Sequence, residues 1–121
     1  MNKKKVILIN DSPMILFELN TILSGLDINI VAEAEDGDKA LDLFQKHLPD
    51  IVTLDIVMPG EKCGVTLLKQ LLQIKPDAKV LMISALGNDI TVLECLKNGA
   101  VGFVEKPFVR EAVIDAVKKL L

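Results

Sequence analysis

Along the chain, short apolar runs alternate with stretches in which apolar residues recur every three or four positions. The first run, Val6 to Ile9, is unbroken and rich in β-branched residues, the pattern of a strand buried on both faces. Ser12 and Pro13 then supply a cap and a first-turn proline, and Ile15, Leu16, Leu19, Ile22 and Leu23 carry a helical stripe up to Gly25. Ile28 to Ala34 predicts a second strand. After a turn at Asp36-Gly37, the residues Ala40, Leu41, Phe44 and Leu48 mark a second helix, which Pro49-Asp50 stops. Ile51 to Asp55 is a third apolar run, and it ends in a carboxylate followed by a Met58-Pro59-Gly60 turn. A polar loop through Gly64 leads to the stripe Leu67, Leu68, Leu71 and Leu72, which ends near Lys75-Pro76. Lys79 to Ile83 predicts the fourth strand, finishing at Ser84. Gly87-Asn88 introduces a helix around Val92, Leu93 and Leu96, closed by Asn98-Gly99 as a left-handed cap. Val101 to Glu105 predicts the fifth strand, Pro107 breaks it, and Val109, Val113, Ala116, Val117 and Leu120 mark a final amphipathic helix.

Five strands alternating with five helices at short spacing predict an α/β domain, a parallel sheet with helices on both faces and right-handed crossovers. Residues 1–121 read as one such domain, with no repeat, linker or low-complexity tract. In a parallel sheet all strands point the same way, so the polar residues that end them gather at one carboxyl edge, where ligands of open α/β sheets bind. Asp11, Asp55 and Lys106 each follow an apolar run and are expected to share that edge.

Composition narrows the function. Half the residues are hydrophobic, with no Trp or Tyr and four Phe, so the core is expected to be aliphatic. The formal charge of −3 lacks the basic field that nucleic-acid binding requires, and the Lys3-Lys4-Lys5 cluster reads as a solvated tail. Cys63 and Cys95 have no metal-ligand or CxxC spacing and read as reduced thiols. No apolar run approaches the ~18 residues of a membrane span, and no signal-peptide core stands at the N-terminus. A soluble cytoplasmic chain without membrane partners is the expectation. The single histidine, His47, reads as a surface residue at a helix end and is given no chemistry.

Two carboxylates brought together without a partner repel, and one tends to keep its proton. A divalent cation removes that conflict, and oxygens from Asp11, Asp55 and a backbone carbonyl, with waters, suit Mg²⁺. With Lys106 beside it, Asp55 would stay ionised and nucleophilic, and an incoming phosphoryl group would meet positive charge on both sides. Ser84 could donate a hydroxyl to one phosphoryl oxygen, and the small Ala85 would let its backbone N–H approach another. Each residue taken singly reads as a turn former, a helix cap or a loop serine. What points to phosphoryl transfer is their recurrence after successive strands.

The residues Val6-Ile-Leu-Ile-Asn-Asp11, Glu33-Ala-Glu-Asp-Gly37 with Ala40, Pro49-Asp50, Leu54-Asp55 with Met58-Pro59, Ser84-Ala85, Gly99-Ala100 and Lys106-Pro107-Phe108 resemble the receiver domain of two-component signalling over essentially the whole chain. The resemblance implies a flavodoxin-like (βα)₅ three-layer sandwich with strand order 2-1-3-4-5, of which a chemotaxis receiver is a standard example. It implies that Asp55 takes a phosphoryl group from the phosphohistidine of a histidine kinase, with Mg²⁺ held by Asp11, Asp55 and the carbonyl of Val57. Such a chain is a switch that catalyses its own phosphorylation and dephosphorylation rather than a conventional enzyme. Phe103 stands at the family's aromatic switch position, although a core or edge aromatic would look the same in the sequence. Phosphorylation would draw Ser84 and Lys106 toward the new charge and let Phe103 turn inward, changing the helix 4, strand 5 and helix 5 face that an output partner reads. The bond between Lys106 and Pro107 is typically cis in receivers, an isomer open to X-Pro bonds at modest cost. Ser84-Ala85-Leu86-Gly87 and the Gly102–Phe108 segment look more like chemotaxis-type receivers than like the transcription-factor group, whose strand five often begins with paired acids.

Three positions depart from the family pattern. Asn10 replaces the first of two acids, which leaves a group able to bond a metal-bound water but carrying no charge, so weaker Mg²⁺ binding is expected. Gly64 comes one residue late, after Glu61-Lys62-Cys63. Ser84 stands where Thr is commoner, without the methyl that restricts the rotamer. Two other readings are weighed beside this one. A haloacid-dehalogenase-type phosphatase or phosphotransferase would need a second Asp two residues after Asp55, and position 57 is Val. A degenerate receiver would bind partners without being phosphorylated, for which Asn10 is the motive.

Overall fold

The computed structural model describes residues 3–57, 64–85 and 89–121. Its elements run β1 (Lys4–Ile9), α1 (Pro13–Leu23), β2 (Ile28–Ala34), α2 (Gly37–His47), β3 (Ile51–Asp55), α3 (Gly64–Ile74), β4 (Lys79–Ala85), α4 (Asp89–Lys97), β5 (Gly102–Lys106) and α5 (Arg110–Lys118). All strand pairs are parallel and the order is β2-β1-β3-β4-β5. That is the flavodoxin-like (βα)₅ arrangement that the resemblance implies. The Met58-Pro59-Gly60 turn, the path of Glu61–Cys63 and the Gly87-Asn88 helix entry lie outside the described residues.

Strand alternation divides the interior into two apolar layers. Ile7, Ile9, Val52, Leu54, Val80 and Met82 pack with Ala40 and Phe44 of α2, Leu67, Leu68 and Leu71 of α3, and Val92 and Cys95 of α4. Val6, Leu8, Ile51, Leu81, Ile83 and Val104 pack on the other side with Leu16, Leu19, Ile22 and Leu23 of α1 and Val113 and Val117 of α5. Val6 to Ile9 are wholly buried, so both side-chain rows of β1 lie in apolar layers, as an unbroken β-branched run requires.

The local signals act as their chemistry dictates. Ser12 caps α1 by accepting the Ile15 N–H at 3.3 Å, with Pro13 in the first turn. Asp36 does more than turn the chain, since its carboxylate accepts the Lys39 N–H at 2.8 Å and caps α2. Gly99 closes α4 with φ +108°, a conformation that glycine adopts without strain.

The structure corrects several of the expected assignments, Val109 among them, which is the exposed N-cap of α5 and not part of its apolar stripe. Leu48 is not part of the α2 stripe: it is the left-handed C-cap, φ 45°, and stays half exposed because the helix has ended before it. In α4 the inward residues are Val92, as expected, and Cys95, three apart, while Leu93 and Leu96 face outward. The fifth strand begins at Gly102 and includes Lys106, leaving Val101 exposed before it. Lys4 and Lys5 are not a tail either. They open β1, and the Lys5 N–H donates to Asp50 Oδ2 at 2.9 Å.

Candidate functional site

Three strands deliver the site. The β1–β3 pairing sets Ile9 against Leu54, so the next residues, Asn10 and Asp55, stand side by side at the carboxyl edge. The β4–β5 pairing sets Ala85 against Lys106, which brings the lysine in from the other direction. Strand alternation puts Asn10 on the same face as Val6 and Leu8, Asp55 with Ile51, and Lys106 with Val104, which is the α1–α5 face in every case. The sheet thus joins residues 10, 55 and 106 through register alone.

Asp55 is 2% exposed. Its Oδ2 accepts from Lys106 Nζ at 3.2 Å and its Oδ1 from the Val57 N–H at 3.1 Å. Burial raises its pKa above the ordinary carboxylate value, and the Asp11 carboxylate pushes the same way. Lys106 charge, the Val57 N–H and the Lys106 hydrogen bond oppose the shift without cancelling it. Desolvation therefore wins over one ion pair, as expected when a charge is taken into a protein interior.

Asp11 is exposed at the mouth of the site. Asn10 is fully buried, its N–H donating to Ala34 O at 3.0 Å and its Oδ1 accepting the Ser12 N–H at 3.0 Å. Ser84 is buried one step beyond Ile83, the β4 partner of Asp55, and its alternation places it with Val80 and Met82 rather than with Asp55. Its hydroxyl has no hydrogen-bond partner. Ala85 ends β4 and is exposed, and Val57 is exposed just after β3. Phe103 is 45% exposed on the edge strand. The Lys106-Pro107 peptide bond is cis.

Two features escaped the reading of the sequence. Thr53 Oγ1 is buried without a partner on the Asp55 side of β3, two residues below the carboxylate; a threonine in an apolar run is indistinguishable from a β-branched packing residue. Gly64 is confined by backbone. A Cβ there would lie 2.6 Å from Ile56 Cα and 2.7 Å from Asp55 O, and the Gly64 N–H donates to Ile56 O at 2.8 Å. The glycine lets α3 begin directly against the end of β3.

Among the described residues no group of three or more His, Cys, Asp or Glu gathers to hold a metal. A cation at this edge would draw on two carboxylates, a carbonyl and water, a hard oxygen set that fits Mg²⁺. The mutual effect of Asp11 on Asp55 is the charge conflict such an ion relieves.

The model of the response regulator receiver domain matches residues 6–118. The chain belongs to that family. It is 36% identical over 117 residues to the chemotaxis protein CheY of Bacillus subtilis, covering 97% of each chain. It is 40% identical to a protein-glutamate methylesterase/protein-glutamine glutaminase of Paraburkholderia xenovorans, covering 99% of this chain and 34% of that one. Among solved structures, CheY of Borrelia burgdorferi in a CheX, beryllofluoride and magnesium complex superposes with TM-score 0.90 at 36% identity, over 97% of this chain and 88% of that one. Receivers are signalling switches, and this one is CheY-like. Among the described residues no helix is long and apolar enough to cross a membrane.

Proposed function

We propose that this receiver is a phosphoacceptor switch in a two-component relay, with Asp55 as the acceptor, Lys106 and Ser84 as the groups that meet the new charge, and a histidine kinase as donor. The observation that carries the reading is the buried Asp55 carboxylate, held from one side by Lys106 Nζ at 3.2 Å and from the other by the Val57 N–H at 3.1 Å. An Asp55 oxygen attacks the phosphorus of a phosphohistidine. The P–N bond breaks, its electron pair returns to the imidazole nitrogen, and an acyl phosphate O–P bond forms. Mg²⁺, held by Asp11, Asp55 and the Val57 carbonyl, would supply positive charge to the transferring oxygens. Lys106 supplies it from the protein side and stays with the phosphoryl group afterwards. The unpartnered Ser84 hydroxyl is then a donor waiting for an acceptor, and the Ala85 N–H is the second contact.

Output is proposed to pass through α4, β5 and α5. Ile90, Leu93, Leu96, Val101 and Phe103 expose apolar surface along α4, the segment after it and β5, and Phe103, beside Met82 in the sheet, is the residue that would turn inward when Ser84 moves. Met14 and Phe17 expose a second apolar strip on α1 beside Asp11, where a protein phosphodonor must approach. The working compartment is the cytoplasm, and a chemotaxis pathway is the output the CheY-like relatives suggest. Residues 1–121 act as one domain, without nucleic-acid or membrane contacts.

Labelling from a phosphohistidine donor or acetyl phosphate tests the acceptor. Asp55→Asn should abolish label; transfer at the wild-type rate would assign the acceptor elsewhere. The rival reading, a receiver that signals without phosphorylation, is motivated by Asn10 in place of an acid. Beryllofluoride binding in the presence of Mg²⁺ supports the switch, and failure to bind supports the rival.

A further inference from the structure

At the carboxyl edge the Asn10 side chain is bound at one end only. Its Oδ1 accepts the Ser12 N–H at 3.0 Å, while Nδ2, wholly buried, has no hydrogen-bond partner. Its backbone N–H is tied to Ala34 O at 3.0 Å, so neither the strand end nor the amide plane is free to swing. A buried amide donor left unpaired forfeits its hydration without compensation, and native proteins rarely keep one without a use. Asn10 stands beside Asp55 by register and on the same face. An NH₂ group can donate but cannot accept, so through Nδ2 it can serve an oxyanion and not a water that already donates both its protons outward from a cation.

We propose that the Asn10 amide is a hydrogen-bond donor to the phosphoryl group on Asp55, so that this receiver exchanges part of its metal affinity for a direct contact to the anion. The inference rests on the phosphoacceptor reading above. It changes the role expected for Asn10 from support of a metal-bound water to recognition of the phosphoryl oxygens. The Ser84 hydroxyl, also buried and unpaired, ends β4 on the other sheet face, so Asn10 is the idle donor on the Asp55 face. Asn10 is neutral, so the resting site has less negative charge to repel that anion than one with an acid at position 10.

Two affinities separate the roles: Mg²⁺ alone, followed by amide shifts, and beryllofluoride at saturating Mg²⁺. Asn10→Ala should leave Mg²⁺ affinity within about twofold and weaken beryllofluoride about tenfold, the value of one hydrogen bond to a charged group. Asn10→Asp keeps an oxygen for the Ser12 N–H and removes the donor. It should tighten Mg²⁺ several-fold and still weaken beryllofluoride at saturating metal. Equal losses of Mg²⁺ and beryllofluoride in Asn10→Ala would make Asn10 a support for metal-bound water and overturn the proposal. So would unchanged beryllofluoride affinity in both variants. If the wild-type protein itself fails to bind beryllofluoride, the phosphoacceptor reading falls first.

Discussion

Two aspartates bracket the central strand, Asp50 before it and Asp55 at its end, and their surroundings are opposite. Asp50 sits at the amino edge with every group engaged. Its N–H donates to Lys5 O at 2.9 Å, its carbonyl accepts the Lys79 N–H at 2.9 Å, its Oδ2 accepts the Lys5 N–H at 2.9 Å, and Lys75 Nζ lies 4.0 Å from Oδ1. It stitches β1 and β4 to the start of β3. Asp55 is buried deeper, has a raised pKa, and shares the carboxyl edge with two unpartnered polar groups, Asn10 Nδ2 and Ser84 Oγ. One edge of the sheet is spent on stability. The other withholds its hydrogen bonds, which is how a site holds a ligand that comes and goes.

Substitutions at the two edges should act in different ways. The largest effect is expected at the carboxyl edge but from backbone: Gly64→Ala drives a Cβ into Ile56 and should cost about 3 kcal/mol, read as a lower denaturation midpoint. A midpoint equal to that of the wild type would mean that α3 can withdraw from β3 without penalty.

Next is Asp50→Ala, which removes the acceptor of the Lys5 N–H and should cost about 1–2 kcal/mol while leaving beryllofluoride affinity unchanged. Loss of ligand binding at equal stability would merge the two edges and undo the contrast.

Asp55→Asn should move the other way, stabilising the fold by about 1 kcal/mol near neutral pH, because the carboxylate is desolvated more than it is compensated. The sign follows from linkage. A carboxyl whose folded pKa is raised contributes stability that is present below its ordinary pKa and lost as pH rises through the raised value. The gap between variant and wild type should therefore open over that interval and stay constant above it. Lys106, with a side chain 26% exposed, reaches water when its partner is neutralised and limits the gain. Thermal melts across pH in metal-free buffer check this; a destabilised variant at neutral pH would show that the ion pair outweighs desolvation. Adding Mg²⁺ should raise the wild-type midpoint more than that of the variant.

Last is Lys106→Ala, which takes the cation from a carboxylate that is 2% exposed and should lower the midpoint near neutral pH while changing little once Asp55 is protonated. Its consequence lies in signalling. Amide shifts across α4, β5 and α5 on adding beryllofluoride should shrink, and a full wild-type response would remove Lys106 from the switch.

Much of this molecule was legible as written. Apolar runs such as Val6 to Ile9 announce buried strands because only β-branched and aliphatic side chains can fill both faces of a parallel sheet. Ser12-Pro13 marks the start of α1 by its own chemistry, and strands ending in Asp55 and Lys106 must deliver those groups to one edge. Even the strand order came with the resemblance. The errors lie where the sequence is locally ambiguous: Leu93 and Leu96 are as apolar as Val92 and Cys95, and only the angle at which α4 meets the sheet chose between the two rows. Leu48 fits a helical period, but the chain had already turned left-handed.

Periodicity and side-chain chemistry dictate the alternation of elements, the layer pattern and the residue types at the carboxyl edge. Only the tertiary structure decided which polar atoms have partners. Whether Asn10 offers an oxygen or an N–H, whether Asp55 is solvated and whether Gly64 is optional all depend on neighbours brought from other strands. A hydrogen bond withheld leaves no trace in the sequence, because it is a property of the space around an atom and not of the residue that carries it.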